Sequence, residues 1–175
     1  MKIPLSWVKQ YVEFQETPES IAHLMTMGGV EIGNIETIGE TWEDDLVVCG
    51  KIIQIDPHPN ADRLQLPTVD VGDAAPIQVV CGAPNIEVGQ LIAFAKTGST
   101  IINPKTGSPE TLKPATIRGV ESQGMVCSAL ELGLDGDHEG ILVLTEVHEP
   151  GTPLTQILGD SILEIDLSIA NPISE

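Results

Sequence analysis

Aromatic residues are scarce in this 175-residue chain, at 3%, and 8 Lys+Arg are outnumbered by 26 Asp+Glu, giving a formal net charge of −18. So few rings make a poor base-stacking platform. The shortage of cations disfavours non-specific nucleic-acid binding, which depends on Lys and Arg neutralising phosphates. No apolar run approaches the roughly 18–20 residues of a membrane span. The opening Met1-Lys2-Ile3-Pro4-Leu5-Ser6-Trp7 lacks the apolar core and small-residue cleavage site of a signal peptide. Cys49, Cys81 and Cys127 are odd in number and widely spaced, so no disulfide framework is implied. A reducing, cytoplasmic setting is the expectation. What is present suits a folded chain. The hydrophobic fraction is 41%, and the length fits one domain, or one plus a small partner element, at about 100–200 residues per domain.

Residues 1–40 read as helical with a strand after them. Ser6 is placed to cap a short helix carrying Trp7, Val8, Tyr11 and Val12. Thr17-Pro18-Glu19 is a clearer start, with a Thr cap, Pro at the first helical position and an acid in the first turn. Ile21, Leu24 and Met25 share one helix face, and Gly28-Gly29 ends it. The segment from Val30 to Glu36 reads as a strand with imperfect alternation. A domain boundary falls in the acidic stretch 40–45. Short β-rich runs follow at 46–56, 64–71, 77–81, 91–95, 115–118, 125–128 and 141–144, separated by turn residues. This texture predicts a small barrel or sandwich. Pro67 marks its run as an edge, a bulge or a break. Residues 153–158 predict one helical turn, and 162–167 alternate as a half-buried strand. The expected architecture is a β-barrel inserted between the two halves of a small α+β domain, whose C-terminal strand pairs with its N-terminal segment.

Candidate chemistry is thin. Asp135-Gly136-Asp137-His138-Glu139-Gly140, with Glu146 twelfth, resembles a calcium loop, but its exit reads as strand, which favours an acidic surface turn. His58 and the cysteines have no paired metal-ligand spacing, and free Cys in an apolar strand is usually a small buried hydrophobe. Ser122 is off by one from a G-x-S-x-G elbow, and Gly50-Lys51 lacks the rest of a phosphate-binding loop. No catalytic or metal residue is therefore assigned. The remaining candidates are the turn-rich segments 57–63, 82–85 and 118–128, because loops on a rigid scaffold carry binding residues. Read for structure alone, their Pro, Asn and Gly shape turns, Arg63 and Arg118 pair with the abundant acids, and Met125 is core.

These segments also carry a resemblance. Val48-Cys49-Gly50-Lys51-Ile52, Pro57-His58-Pro59-Asn60-Ala61-Asp62-Arg63-Leu64, Val80-Cys81-Gly82-Ala83-Pro84-Asn85 and Lys113-Pro114-Ala115-Thr116-Ile117-Arg118-Gly119-Val120-Glu121-Ser122-Gln123-Gly124-Met125-Val126-Cys127-Ser128 resemble the tRNA-binding oligonucleotide-binding (OB) fold. That module occurs in bacterial phenylalanyl-tRNA synthetase β subunits, many methionyl-tRNA synthetases and free-standing tRNA-binding proteins. The flanks, residues 1–12, 24–31 and 163–167, resemble the β subunit in particular. The resemblance implies an α+β fold: a five-stranded OB barrel at 41–149 inserted into a small split α/β domain made of 1–40 and 150–175. It implies a chain shorter than a whole β subunit, a fragment or a shortened relative, whose last residues 168–175 depart from the family pattern.

The implied function is an accessory tRNA-binding or assembly module of a phenylalanine–tRNA ligase. Aminoacylation there, with ATP and magnesium, belongs to the α subunit, and no cofactor is expected on this chain. Implied partners are tRNA and the α subunit, within an α2β2 assembly, with no membrane and no DNA. The alternative is a free-standing or truncated OB protein acting on tRNA in trans or in protein contacts. Residues carried over as the tRNA surface are Asn60, Arg63, Asn85, Lys113, Arg118, Ser122, Met125 and Ser128. Residues 41–149 hold 6 Lys+Arg against 16 Asp+Glu, so the expected tRNA contact is weak and local.

Overall fold

The computed structural model describes residues 1–134 and 140–166. The acidic turn at 135–139, Leu167 and residues 168–175 lie outside the described residues. In chain order the elements begin with β1 (Lys2–Pro4), α1 (Leu5–Val8), α2 (Pro18–Met27), β2 (Ile32–Ile38), β3 (Val47–Pro57), β4 (Gln65–Asp70), β5 (Ile77–Gln78) and β6 (Leu91–Lys96). There follow β7 (Thr100–Ile102), β8 (Pro109–Thr111), β9 (Ala115–Ile117), β10 (Val120–Ser122) and β11 (Gly124–Val126). A 3-10 turn (Leu130–Leu132), α3 (Leu154–Leu158) and β12 (Asp160–Ile165) complete the described chain. By contacts the chain forms two compact units, Met1–Glu40 with the segment from Leu158 onward, and Thr41–Ile157. Among the described residues no helix is long and apolar enough to cross a membrane.

In the first unit β12 is the central strand of an antiparallel sheet in the order β1-β12-β2. α2 starts where its sequence signals say. The Ser20 N–H donates to the Thr17 hydroxyl at 3.3 Å, Pro18 follows the cap and Gly28 ends the helix. Leu5, Ala22 and Leu163 form the small core, with Val8, Phe14, Ile21 and Met25 packed against it. Ser6 is not a cap. Pro4 holds the cap position of α1 without a side-chain bond, and the Ser6 N–H and hydroxyl both donate to the Asp160 carboxylate, at 3.0 and 2.5 Å. A long-range acceptor has won the hydroxyl from the helix end.

The second unit is mostly sheet. Five antiparallel strands lie in the order β11-β6-β3-β4-β5, giving a curled, OB-like half-barrel, and β7–β8 and β9–β10 form separate hairpins. The core is built of β-branched and aliphatic side chains around Phe94, with Ile52, Val69, Val79 and Ile92 fully buried. Two bare backbone positions line this core. A Cβ on Gly124 would stand 2.6 Å from Phe94 Cζ, and one on Gly50 would stand 2.6 Å from Val69 Cγ1. Pro67 sits in β4, an inner strand. It accepts from the Val79 N–H at 3.0 Å but has no N–H to return. The β4–β5 pairing is accordingly interrupted there and resumes only as a Gln65–Cys81 bridge, and the facing β3 shifts register between Ile52 and Gln54. Residues 150–157, expected with the first domain, bond inside the second unit instead. The Cys49 N–H donates to Thr152 O at 2.8 Å, and the Thr155 hydroxyl donates to Asp44 Oδ1 at 2.5 Å.

Two outcomes follow from this packing. Gly124→Ala forces the new methyl against the Phe94 ring and the Ala95 carbonyl, so a loss of about 1–3 kcal/mol is expected in urea titration. Retention of wild-type stability would show that the ring can move aside. Cys49, Cys81 and Cys127 are free and buried, and desolvation raises each thiol pKa, with the Glu131 charge adding to the effect at Cys81 and Cys127. The folded chain therefore favours neutral thiols. That contribution is complete below the unfolded thiol pKa of about 8.5 and is lost as pH rises toward the folded values. Stability should fall with pH above about 8.5, and Cys127→Ala should flatten the fall, as read by urea midpoints against pH.

Candidate nucleic-acid interface

Two segments of the second unit are tied together to make the candidate surface. One is the loop 57–64 that leaves β3. The other is the β9–β10 hairpin, whose register pairs Ile117 with Val120 and leaves Arg118 and Gly119 as the turn. Both turn residues have positive φ, 48° at Arg118 and 89° at Gly119, as a type I′ turn requires. Arg118 is the one non-glycine residue at positive φ among the described residues. A Cβ-bearing residue there costs on the order of 1 kcal/mol, and Asn or Gly is the usual occupant. The loop and hairpin meet through His58 and Asn60. The buried His58 ring bonds Ile117 O through Nε2 at 3.1 Å, and Asn60 Nδ2 donates to Arg118 O at 2.9 Å.

The charges on this surface are uncommitted. Arg63 in the loop, Arg118 in the turn and Lys113, two residues ahead of β9, are exposed, and like Lys9, Lys51 and Lys105 they have no ion pair among the described residues, although acids outnumber bases threefold in the chain. The lysines that do pair are Lys2 with Glu36 and Lys96 with Asp73. The structural expectation that Arg63 and Arg118 neutralise nearby acids is thus not what the side chains do.

The other five carried-over residues divide by what already occupies them. Ser122 is buried; its hydroxyl accepts from the Val80 N–H at 3.1 Å and donates to Gly124 O at 3.0 Å. Ser128 is buried and bonds Glu131 Oε2 through both its N–H and its hydroxyl, at 2.7 and 2.8 Å, an S-x-x-E arrangement that leads into the 3-10 turn. The Asn85 amide clamps the Ile141 backbone, accepting from its N–H at 2.9 Å and donating to its carbonyl at 3.1 Å. Gly140 lies so close that a Cβ there would stand 2.7 Å from Asn85 Oδ1. Met125 is half-buried and lines a cavity of about 280 Å³ with Val80, Cys81, Ala83, Ser128 and Glu131. Asn60 is exposed but holds the hairpin. The sequence reading missed His58 in this part, having weighed it only as a metal ligand. Its spacing two residues before Asn60 was the available signal, since a side-chain acceptor there can take the N–H two residues on. Among the described residues no group of three or more His, Cys, Asp or Glu side chains is placed to hold a metal.

Comparison with known proteins gives this surface a context. The phenylalanine–tRNA ligase beta subunit of Dehalococcoides mccartyi (strain CBDB1) is 45% identical over 168 residues, covering 96% of this chain and 20% of its own length. That of Salinibacter ruber is 39% identical over 184 residues, covering 98% and 22%. The chain thus spans about a fifth of the length of these curated relatives. Among solved structures, the C-terminal domain of Plasmodium vivax p43 aligns over 50% of this chain and 46% of its own, at 17% identity and a TM-score of 0.37, too low to infer a shared fold. The family described as "Putative tRNA binding domain" matches residues 47–153, nearly all of the second unit and more than half of the chain, and the chain belongs to that family.

Proposed function

We propose that this chain is the accessory, non-catalytic tRNA-binding module of a phenylalanine–tRNA ligase β subunit, an OB barrel inserted into a small split α/β domain. Its tRNA contact is carried by Arg63, Lys113 and Arg118. The single observation behind this is that these cations stand exposed and unpaired in a chain of net charge −18. Leaving them free keeps their full charge for phosphates. The strained Arg118 supports the same reading, because strain persists where the surrounding structure imposes it for a purpose.

Few cations mean few phosphate contacts, so affinity is low and steeply salt-dependent. In this reading the remainder of a synthetase supplies most of the binding, and phenylalanine is attached to tRNA elsewhere, on an α subunit using ATP and magnesium. The acid-rich surface outside the loop and hairpin favours protein contact within that assembly, in the cytoplasm.

Titration of a tRNA transcript against the 175-residue chain tests the proposal. Arg63→Ala and Arg118→Ala should each reduce the slope of log K against log salt by about one. Unchanged slopes in both variants would remove the assignment. Arg118→Gly separates the two properties of that position. It should raise stability by about 0.5–1 kcal/mol through relief at positive φ, yet weaken tRNA binding as much as Arg118→Ala. A variant that gained stability and kept its affinity would show the guanidinium to be idle.

A further inference from the structure

We propose that His58 is a positioning residue for this interface, acting as the Nε2–H tautomer to hold Arg118 in its left-handed turn; the inference rests on the tRNA-contact reading above. His58 is 6% exposed, so it touches no ligand itself. Its Nδ1 accepts from the Asn60 N–H at 3.1 Å and must therefore carry a lone pair. Nε2 then carries the hydrogen and donates to Ile117 O at 3.1 Å. Both ring nitrogens are thus used, and each use bears on the hairpin. The Ile117 carbonyl belongs to the peptide unit before the Arg118 Cα, and the Arg118 carbonyl to the unit after it. His58 holds the first directly. It holds the second through Asn60, whose backbone it fixes and whose Nδ2 donates to Arg118 O at 2.9 Å.

Two pinned peptide planes leave the intervening residue little freedom, which is the over-determination a non-glycine residue needs to stay at φ 48°. Separately from the ring, the His58 backbone N–H donates to Leu64 O at 3.2 Å, closing the base of the loop that carries Arg63. One buried imidazole therefore sets the backbone on both sides of Arg118. A histidine buried only to fill space would have no reason to engage both flanks of a strained turn.

The test is a double-mutant cycle on tRNA-transcript affinity, with thermal melting to confirm folding. His58→Leu removes both ring bonds and should weaken binding about three- to tenfold, while lowering the salt slope by about one, as Arg118→Ala does. In an Arg118→Ala background, His58→Leu should add less than about a twofold further loss, because the two act as a unit. His58→Asn, whose side-chain oxygen can still accept from the N–H two residues on, should recover a large part of the affinity. Fully additive losses, or a weakened affinity with an unchanged salt slope, would overturn the proposal. If His58→Leu does not fold, Asn60→Ala repeats the cycle from an exposed position by removing only the bond to Arg118 O. If Arg118→Ala leaves affinity intact, the tRNA-contact reading falls on its own. The amide resonances of Arg118 and Gly119 then decide the positioning claim: they shift strongly in His58→Leu if the ring holds the turn, and stay in place if it does not.

Discussion

In the second unit one hydroxyl links the two outer edges of the sheet. Ser122 takes a hydrogen bond from the Val80 N–H and gives one to Gly124 O, with its side chain buried. Val80 lies just past β5 and Gly124 opens β11, and these are the two outer strands of the five-stranded sheet. A sheet of this order leaves two rows of unpaired backbone groups, which are sites of misassociation. Here the rows are joined across a serine, the smallest side chain that can accept and donate at the same atom. Gly124, at the joined end of β11, leaves room for the Phe94 ring. The β9–β10 hairpin ends at Ser122, so the turn that carries Arg118 extends from the residue that bridges the two outer strands.

On the proposed reading, an acidic chain meets an anionic partner through local geometry. Binding through overall charge would need a basic surface, and this one has the opposite sign. Binding through a few fixed cations needs only that they be held out and left unpaired. Arg63 and Arg118 come from two separate segments, and the polar groups that join those segments are backbone carbonyls, His58 and Asn60. No acid takes part in the join, and the guanidinium groups of Arg63 and Arg118 have no ion pair among the described residues.

What the sequence made legible was what local chemistry decides. α2 was readable because its cap, its proline and its terminal glycine lie within the helix itself or beside it. The long strands β3, β4 and β6 were readable from their apolar, β-branched runs. The β7–β8 hairpin was not, since β8 is exposed throughout and its run carries no alternation. The run at 141–144 forms only an isolated bridge, because its bonds are shared among Leu91, Ala93 and Cys127 rather than made to one neighbour. At the candidate site, residue types pointed to the right segments but not to roles. Ser122, Ser128 and Asn85 look like contact residues in a string of letters. Only the distant partners of Ser122 and Asn85, at Val80 and Ile141, reveal that those side chains are spent on architecture. The I′ turn at Arg118-Gly119 is not legible in the sequence, because the β-rich run 115–118 ends on Arg118, and Asn, Asp or Gly is the usual first residue of such a turn.

The central place of β12 in the first unit's sheet has a kinetic consequence. β1 and β2 have no direct pairing with each other and wait for a strand that leaves the ribosome more than a hundred residues later. Closing so long a loop from a disordered chain is entropically expensive. The second unit is contiguous, and it draws its own two ends together through Asp44–Thr155 and Val48–Pro153. Once it has folded, the effective loop between β2 and β12 shrinks to a few residues. The second unit therefore acts as an internal template for the unit it interrupts, and damage to its core would delay a sheet to which it contributes no strand.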